Sequence, residues 1–205
     1  MRGILSKVFV VLSLLSLLAS CVVVEDLKHS KAKPSKIQRD GIINVASRAT
    51  GVTTDKAGML TLFYVPVAST RIKGDISANL MHSVDIALQE AGYNAEGGSS
   101  YSSADAGYLK AHLKELKLGN FFAINTATVS LKLRLETREG EILWEDLVRS
   151  RVKTLTNDYD RTSTRAMNRL VRAMSKRFSQ EDFYRASQRV KRHNDFLKEN
   201  VELSK

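Results

Sequence analysis

Cysteine occurs once in these 205 residues, at Cys21. A single thiol gives neither a disulfide framework nor a thiolate cluster for zinc, so stability has to come from a packed core. Histidine is scarce too: His29, His82, His112 and His193 are read into a linker, a helix, a strand and a tail, and none adjoins a nucleophile elbow. His82 has no second ligand-type residue at a metal spacing. The two prolines are Pro34, in the linker, and Pro66, which is expected to end a strand because it has no N–H to give to a ladder. Acids are in deficit, 22 against 32 Lys and Arg, for a net charge of +10. The carboxylate pairs that do occur are poor catalysts on paper: Glu139 and Glu141 flank a turn, and Asp158 and Asp160 stand beside Asn157 without the Gly and closing Glu of a calcium loop. Gly97-Gly98 and the hydroxyls after them lack the Lys of a phosphate cradle and follow a helix where a cradle would open one. No cofactor and no metal is expected. A hydrolase is the weakest function class, since it would need a concave pocket with perturbed titratable groups.

What is present begins with one apolar run. Arg2 and Lys7 give a basic start, Val8 to Leu18 is apolar except for Ser13 and Ser16, and Leu18-Ala19-Ser20-Cys21 closes it. That is the layout of a secretory signal with small residues at the cleavage position. The competing reading, an uncleaved anchor from Val8 to Val24, has 17 residues, the short limit for a spanning helix. Residues 1–20 are therefore expected to be a signal peptide.

The closing four residues resemble the bacterial lipobox, in which two small residues and a Leu precede a Cys that is acylated and becomes the first residue. The resemblance implies lipidation of Cys21. Each buried methylene contributes about 0.8 kcal/mol, and the several chains of that family make anchoring stable. Val22 follows in place of Asp, which by the same resemblance implies the outer membrane, inner leaflet, facing the periplasm. Removing Arg2 and Lys7 with the signal leaves +8 on residues 21–205. Such a balance would suit nucleic acid, but export excludes it and leaves anionic head groups, glycans or an acidic protein surface as partners.

Composition and periodicity divide the rest. Residues 21–40, with Lys28, Lys31, Lys33, Lys36 and Pro34, have no sustained periodicity and are read as a lipidated N-terminus and basic linker; 41–180 form one domain; 181–205 are a basic helical tail. Ile42–Ala46 reads as a short strand and Met59–Val65, apolar at both parities, as a central one. Ile76, Leu80, Val84, Ala87, Leu88 and Ala91 mark a helix between a capping Asp75 and Gly92, and 96–107 has the composition of a loop. Three strands follow: Tyr108–Leu118, whose parity switch predicts a bulge near Lys114; a strand alternating from Val129 to Leu135; and Ile142 to about Val152, after a turn at Gly140. Arg161–Phe178 is a second helix, burying Met167, Leu170, Val171, Met174 and Phe178, and Ser179 and Asp182 resemble a fresh helix start. The expected fold is α+β: a mixed, mostly antiparallel sheet of about five strands, ordered β-β-α-β-β-β-α, with both helices on one face. The first crossover is long enough to join parallel strands.

With the lipobox, the strand ending Tyr64-Val65-Pro66, the helix ending Glu90-Ala91-Gly92-Tyr93 and the Gly140-to-Trp144 hairpin, this order resembles small Gram-negative lipoproteins. They include the YajG-like and ABC-transport auxiliary groups and, more distantly, the lipoprotein partner of the lipopolysaccharide-assembly porin. The resemblance implies a non-enzymatic role in binding, bracing or escorting other envelope components. Two segments are candidates for contact. Phe121, Phe122 and Ile124 lie in a connection between strands, where they either fold over the core or form an exposed docking patch. Arg161, Arg165, Arg169, Arg172 and Lys176 line one face of the second helix, within a stretch from Arg149 to Arg192 that holds thirteen basic residues against four acidic ones, a surplus of nine. Like charges at these spacings repel by a few tenths of a kcal/mol per pair, so either water solvates the stripe or an acidic partner relieves it.

Overall fold

The computed structural model describes residues 21–26, 35, 37–39, 42–48, 56–62, 65–73, 75–97, 107–121, 124–137, 139–155 and 158–202. Within them the chain forms β1 (Cys21–Asp26), β2 (Ile42–Arg48), β3 (Lys56–Leu62), β4 (Val65–Lys73), α1 (Ile76–Glu90), β5 (Asn94–Gly97), β6 (Gly107–Phe121), β7 (Ile124–Glu136), β8 (Ile142–Leu155), α2 (Tyr159–Phe178) and α3 (Glu181–Glu202). This is the expected mixed α+β class, but with eight strands where about five were expected; the third helix falls where a helical tail was expected.

β6 is the spine. Along one edge it pairs antiparallel with all of β7, and β7 in turn pairs with β8. Along the other edge its first half takes β2, parallel, with β5 beyond, and its last residues take β3, also parallel. β4 then pairs antiparallel with β3, and β1 closes that side parallel to β4. The β3-to-β6 pairing is the parallel crossover that the connection length allows. Three strands escaped the sequence reading. β4 begins at Val65, so Pro66 opens a strand instead of ending one; it faces Thr61, next to a slip in the register, and a strand's first residues are where a proline is tolerated. β5 has four residues, too few to show a period. β1 lies where a linker was expected, since Val22, Val23 and Val24 suit a strand whatever follows them. Lys28, Lys31, Lys33 and Lys36 are outside the described residues.

The local signals were sharper. The slip between Leu113 and Glu115 makes Lys114 the bulged residue, so Leu109, Ala111 and Leu113 before it and Leu116 and Leu118 after it all reach the core. Gly140 takes φ +92 in the hairpin. Asp75 caps α1 by accepting from the N–H groups of Ser77 and Ala78 at 2.8 and 3.2 Å, and Asp158 caps α2 by accepting from Arg161 N–H at 3.0 Å.

One hydrophobic core is shared by the sheet and all three helices. α1 buries Leu80, Val84, Ala87 and Leu88; α2 buries Met167, Leu170, Val171, Met174 and Phe178. α3, the helical tail, is docked: Phe183, Ala186 and Val190 are buried in the same core, which therefore extends past residue 180. The junction is aromatic. Phe183 meets Trp144 edge-on at 4.8 Å between ring centroids, Tyr93 at 5.4 Å and Phe178 at 4.7 Å. Arg177 lies over Trp144, pairs with Asp146, and donates to Asp182 at 3.0 Å, while the indole N–H of Trp144 donates to the same Asp182 carboxylate. Arg39, at the end of the supposed linker, donates to the Ser179 carbonyl at 3.1 Å and stacks over Tyr93 and Tyr184.

Candidate functional site

In the β6–β8 meander, residues alternate between the helix-covered face and an open one. On the covered side Leu131 faces Val148, and Ser150 donates to the Ala166 carbonyl of α2 at 2.8 Å. On the open side the cross-strand partners are Ile124 with Leu155, Thr126 with Lys153, Thr128 with Arg151, Ser130 with Arg149, Lys132 with Leu147 and Arg134 with Glu145.

α2 runs back along β8. Thr162 bonds Thr154, Ala166 accepts from Ser150, and Arg177 pairs with Asp146, so the N-terminus of α2 lies at the end of β8 and its C-terminus near the start. The sequence-predicted residues Arg161, Arg165, Arg169, Arg172 and Lys176 are all exposed along it. Arg169 donates to the Arg151 carbonyl at 3.2 Å, on the outer edge of β8, and Arg172 to the Asn168 carbonyl at 3.4 Å. None of the five forms an ion pair among the described residues. With Arg151 and Lys153 beside them on β8, they make one cationic surface that wraps the free edge of the sheet. The β8 contribution was missed from sequence because helix and strand periodicities are read separately. The alternation Arg149, Arg151, Lys153 was its signal.

The other charged region of the open face is mixed in sign and internally paired. A depression of about 800 Å³ beside the Lys114 bulge is lined by Lys114, Glu115, Lys117, Lys132, Glu145 and Leu147. Glu115 pairs with Lys117 at 3.2 Å and Arg149 at 3.1 Å, and Glu145 with Lys132 at 2.7 Å and with Arg134. Hydrogen bonds from Lys132 and then Arg134 hold the Glu145 carboxyl below its ordinary range. A carboxylate stabilised in its ionised form is the opposite of a general acid. His112, half-buried on this face with a side chain expected to face solvent, is pushed down by burial first and then by Arg134 and Lys114. Among the described residues no group of three or more His, Cys, Asp or Glu could hold a metal ion.

Phe121 and Ile124 occupy the last rung between β6 and β7. Ile124 is 38% exposed, and its β8 partner Leu155 is 84% exposed. Phe122 lies outside the described residues, as do Leu18, Ala19 and Ser20. Cys21 is the first residue of β1, paired with Ala68 on an edge of the sheet. No helix among the described residues is long and apolar enough to cross a membrane.

No protein-family model matches the chain, and no curated protein does. Solved structures do resemble it in part. A Xanthomonas campestris protein of family DUF330 is 9% identical, with 88% of this chain and 99% of that one covered at a TM-score of 0.49. A minor lipoprotein from Acinetobacter baumannii is 10% identical over 67% of this chain and 91% of that one, TM-score 0.41. A lipoprotein from Neisseria meningitidis is 16% identical over 58% and 88%, TM-score 0.35. Lipoproteins are thus among the chains this one is similar to.

Proposed function

We propose that the protein is a non-enzymatic envelope lipoprotein, acylated on Cys21, that uses its cationic surface to dock an acidic partner protein as an accessory of an envelope assembly or transport complex. The single observation that carries this reading is the run of exposed cations on α2, Arg161, Arg165, Arg169, Arg172 and Lys176, none of which forms an ion pair among the described residues. An ordinary solvated face mixes signs, as the Glu115 and Glu145 region of this same sheet does. Guanidinium groups suit the role because their planar fork meets a carboxylate or phosphate at two points. Leu18-Ala19-Ser20-Cys21 supports the anchor, and Val22 supports the inner leaflet of the outer membrane. The committed carboxylates of the depression support binding over catalysis.

A second reading, that the same stripe binds anionic lipid, lipopolysaccharide or glycan directly, is favoured by its nearness to the exposed Ile124 and Leu155. One pull-down from detergent-solubilised envelope separates the two, comparing wild type with a triple Arg165→Gln, Arg169→Gln, Arg172→Gln variant over a salt series. Loss of one stoichiometric protein in the variant is the expected result; loss of co-purifying lipid or glycan instead establishes the second reading. Equal recovery and equal salt dependence would make the stripe a solvated face.

A further inference from the structure

We infer that the end of the sheet at which β1 begins is a seat on an anionic bilayer, with Ile124 and Leu155 entering the interface and Lys153 and Arg151 set over the head groups. This rests on the reading of Cys21 as the acylated residue and adds to it an orientation and a second point of contact.

The register carries the argument. Cys21 pairs with Ala68, Ala68 with Leu60, Leu60 with Asn120, Asn120 with Asn125, and Asn125 with Thr154. One rung therefore crosses the sheet from the anchor residue to β8, and the row Phe121–Ile124–Leu155 is the next rung outward, about 3.3 Å further along the strands. Across six strands at about 4.8 Å the path from Cys21 to Thr154 along that rung is at most roughly 24 Å. α2 touches β1 as well as β7 and β8, so the sheet bends around the helix and brings Cys21 and Leu155 to the same end of the domain. A single lipidated residue would leave the domain free to tilt; a second contact would fix it.

The chemistry is ordered along the open face. Outermost is the apolar row, next Thr126 with Lys153, then Thr128 with Arg151, and only at Ser130 does a β6 carboxylate, Glu115, come level. On the helix side Arg161 stands in the first turn of α2 beside Asp160, with Asp158 as the N-terminal cap, so the cationic band belongs to β8. Apolar tip, cationic band, then mixed charge is the profile of a surface that meets lipid head groups. The stripe on α2 leaves this plane. At 1.5 Å per residue Lys176 is roughly 22 Å from Arg161, well past the screening length of about 8 Å at physiological salt. Arg172 and Lys176 remain for a protein.

The test uses two residues at opposite ends. With Cys21 acylated, a new thiol is the only free one, so Leu155→Cys and Ile142→Cys variants can each be spin-labelled on the acylated chain in phosphatidylethanolamine–phosphatidylglycerol vesicles. Oxygen and nickel-chelate accessibilities then report depth. The expected result is a label immersed at position 155 and aqueous at 142; an aqueous label at 155, or equal depths, overturns the seat. A second arm needs no anchor. Soluble Cys21→Ser chain should partition to those vesicles in a salt-dependent way, and Ile124→Ser with Leu155→Ser should weaken it about tenfold, as expected for two partly buried aliphatic side chains. Equal partitioning of the two chains overturns the seat as well. Mass spectrometry of the wild type keeps the two readings apart. An unmodified Cys21 with intact soluble-chain binding removes the anchor alone, and an acylated Cys21 with an aqueous 155 label removes the seat alone.

Discussion

Each end of the β7–β8 ladder presents an exposed isoleucine: Ile124 at 38% and Ile142 at 47%. Their surroundings are opposites. Ile142 follows the hairpin that carries Glu139 and Glu141, where Glu139 meets His193 of α3 at 2.8 Å and the Trp144–Phe178–Phe183 junction lies just inside. Ile124 sits with Leu155, Lys153 and Arg151. Carboxylates stand at the hairpin of the first end, and the β8 cations stand beside the second. Apolarity alone does not choose between them; the charge around it does. Among the described residues the ring contacts are gathered at the Trp144 end, which should therefore hold more of the stability.

The sharpest way to break that contrast is to empty the junction. Phe183→Ala should cost about 3–5 kcal/mol by removing a fully buried ring and leaving a cavity, whereas Leu155→Ser, at the other end, should change stability by less than about 0.5 kcal/mol. Urea denaturation of both variants checks the pair, and comparable losses would mean that stability is spread evenly.

Gly92→Ala tests the same end through the backbone. The glycine has φ +93, and an added Cβ would stand 2.0 Å from the Ile37 carbonyl oxygen. The left-handed conformation costs an alanine about 1–2 kcal/mol, and displacing the Ile37 segment adds to it. Gly140, at φ +92 with nothing near its Cβ position, isolates the conformational part. A thermal melt should show Gly92→Ala falling clearly below Gly140→Ala.

Next in size is Arg177→Met, which strands Asp146 and Asp182 and removes two charge-assisted hydrogen bonds. With both partners partly exposed, the loss should be about 1–2 kcal/mol, measured as a shift in denaturation midpoint.

The smallest effect is a pH dependence. Burial alone would raise the Asp182 carboxyl, but hydrogen bonds from Trp144 and Arg177 bring it below its ordinary value. A depressed folded-state acid contributes stability above its unfolded value of about 3.9 and loses it as pH falls through the folded one. Acid titration of Asp182→Asn should therefore be flatter than wild type below about pH 4 and parallel to it near neutrality.

How much of this was legible in the sequence follows from the range of each signal. The helices, the Lys114 bulge, the Gly140 turn and the Asp75 cap depend on residues within a turn or two, and all are where the pattern put them. β4 was hidden because Pro66 reads as a terminator when its partner's register slip is unknown. α3 reads as a charged tail because its buried side is narrow: Phe183, Ala186 and Val190 sit among Arg185, Arg189, Lys191 and Arg192. For the candidate site, the α2 stripe is visible in one dimension. That it continues onto Arg151 and Lys153, and that Cys21 shares a rung with Asn125 and Thr154, depends on a topology no local pattern encodes.

The bond from Arg39 to the Ser179 carbonyl joins residues 140 positions apart. Contacts of such separation slow folding, because the chain entropy of closing the loop is lost before the contact repays it. The last part of the chain also supplies Phe183 to the core, so neither the segment at residues 37–39 nor the aromatic junction can set until nearly the whole polypeptide is available. For the exported chain proposed above, that delay is useful. The polypeptide would stay loose enough to be threaded through a narrow pore and would lock only once its C-terminal helix had emerged on the far side.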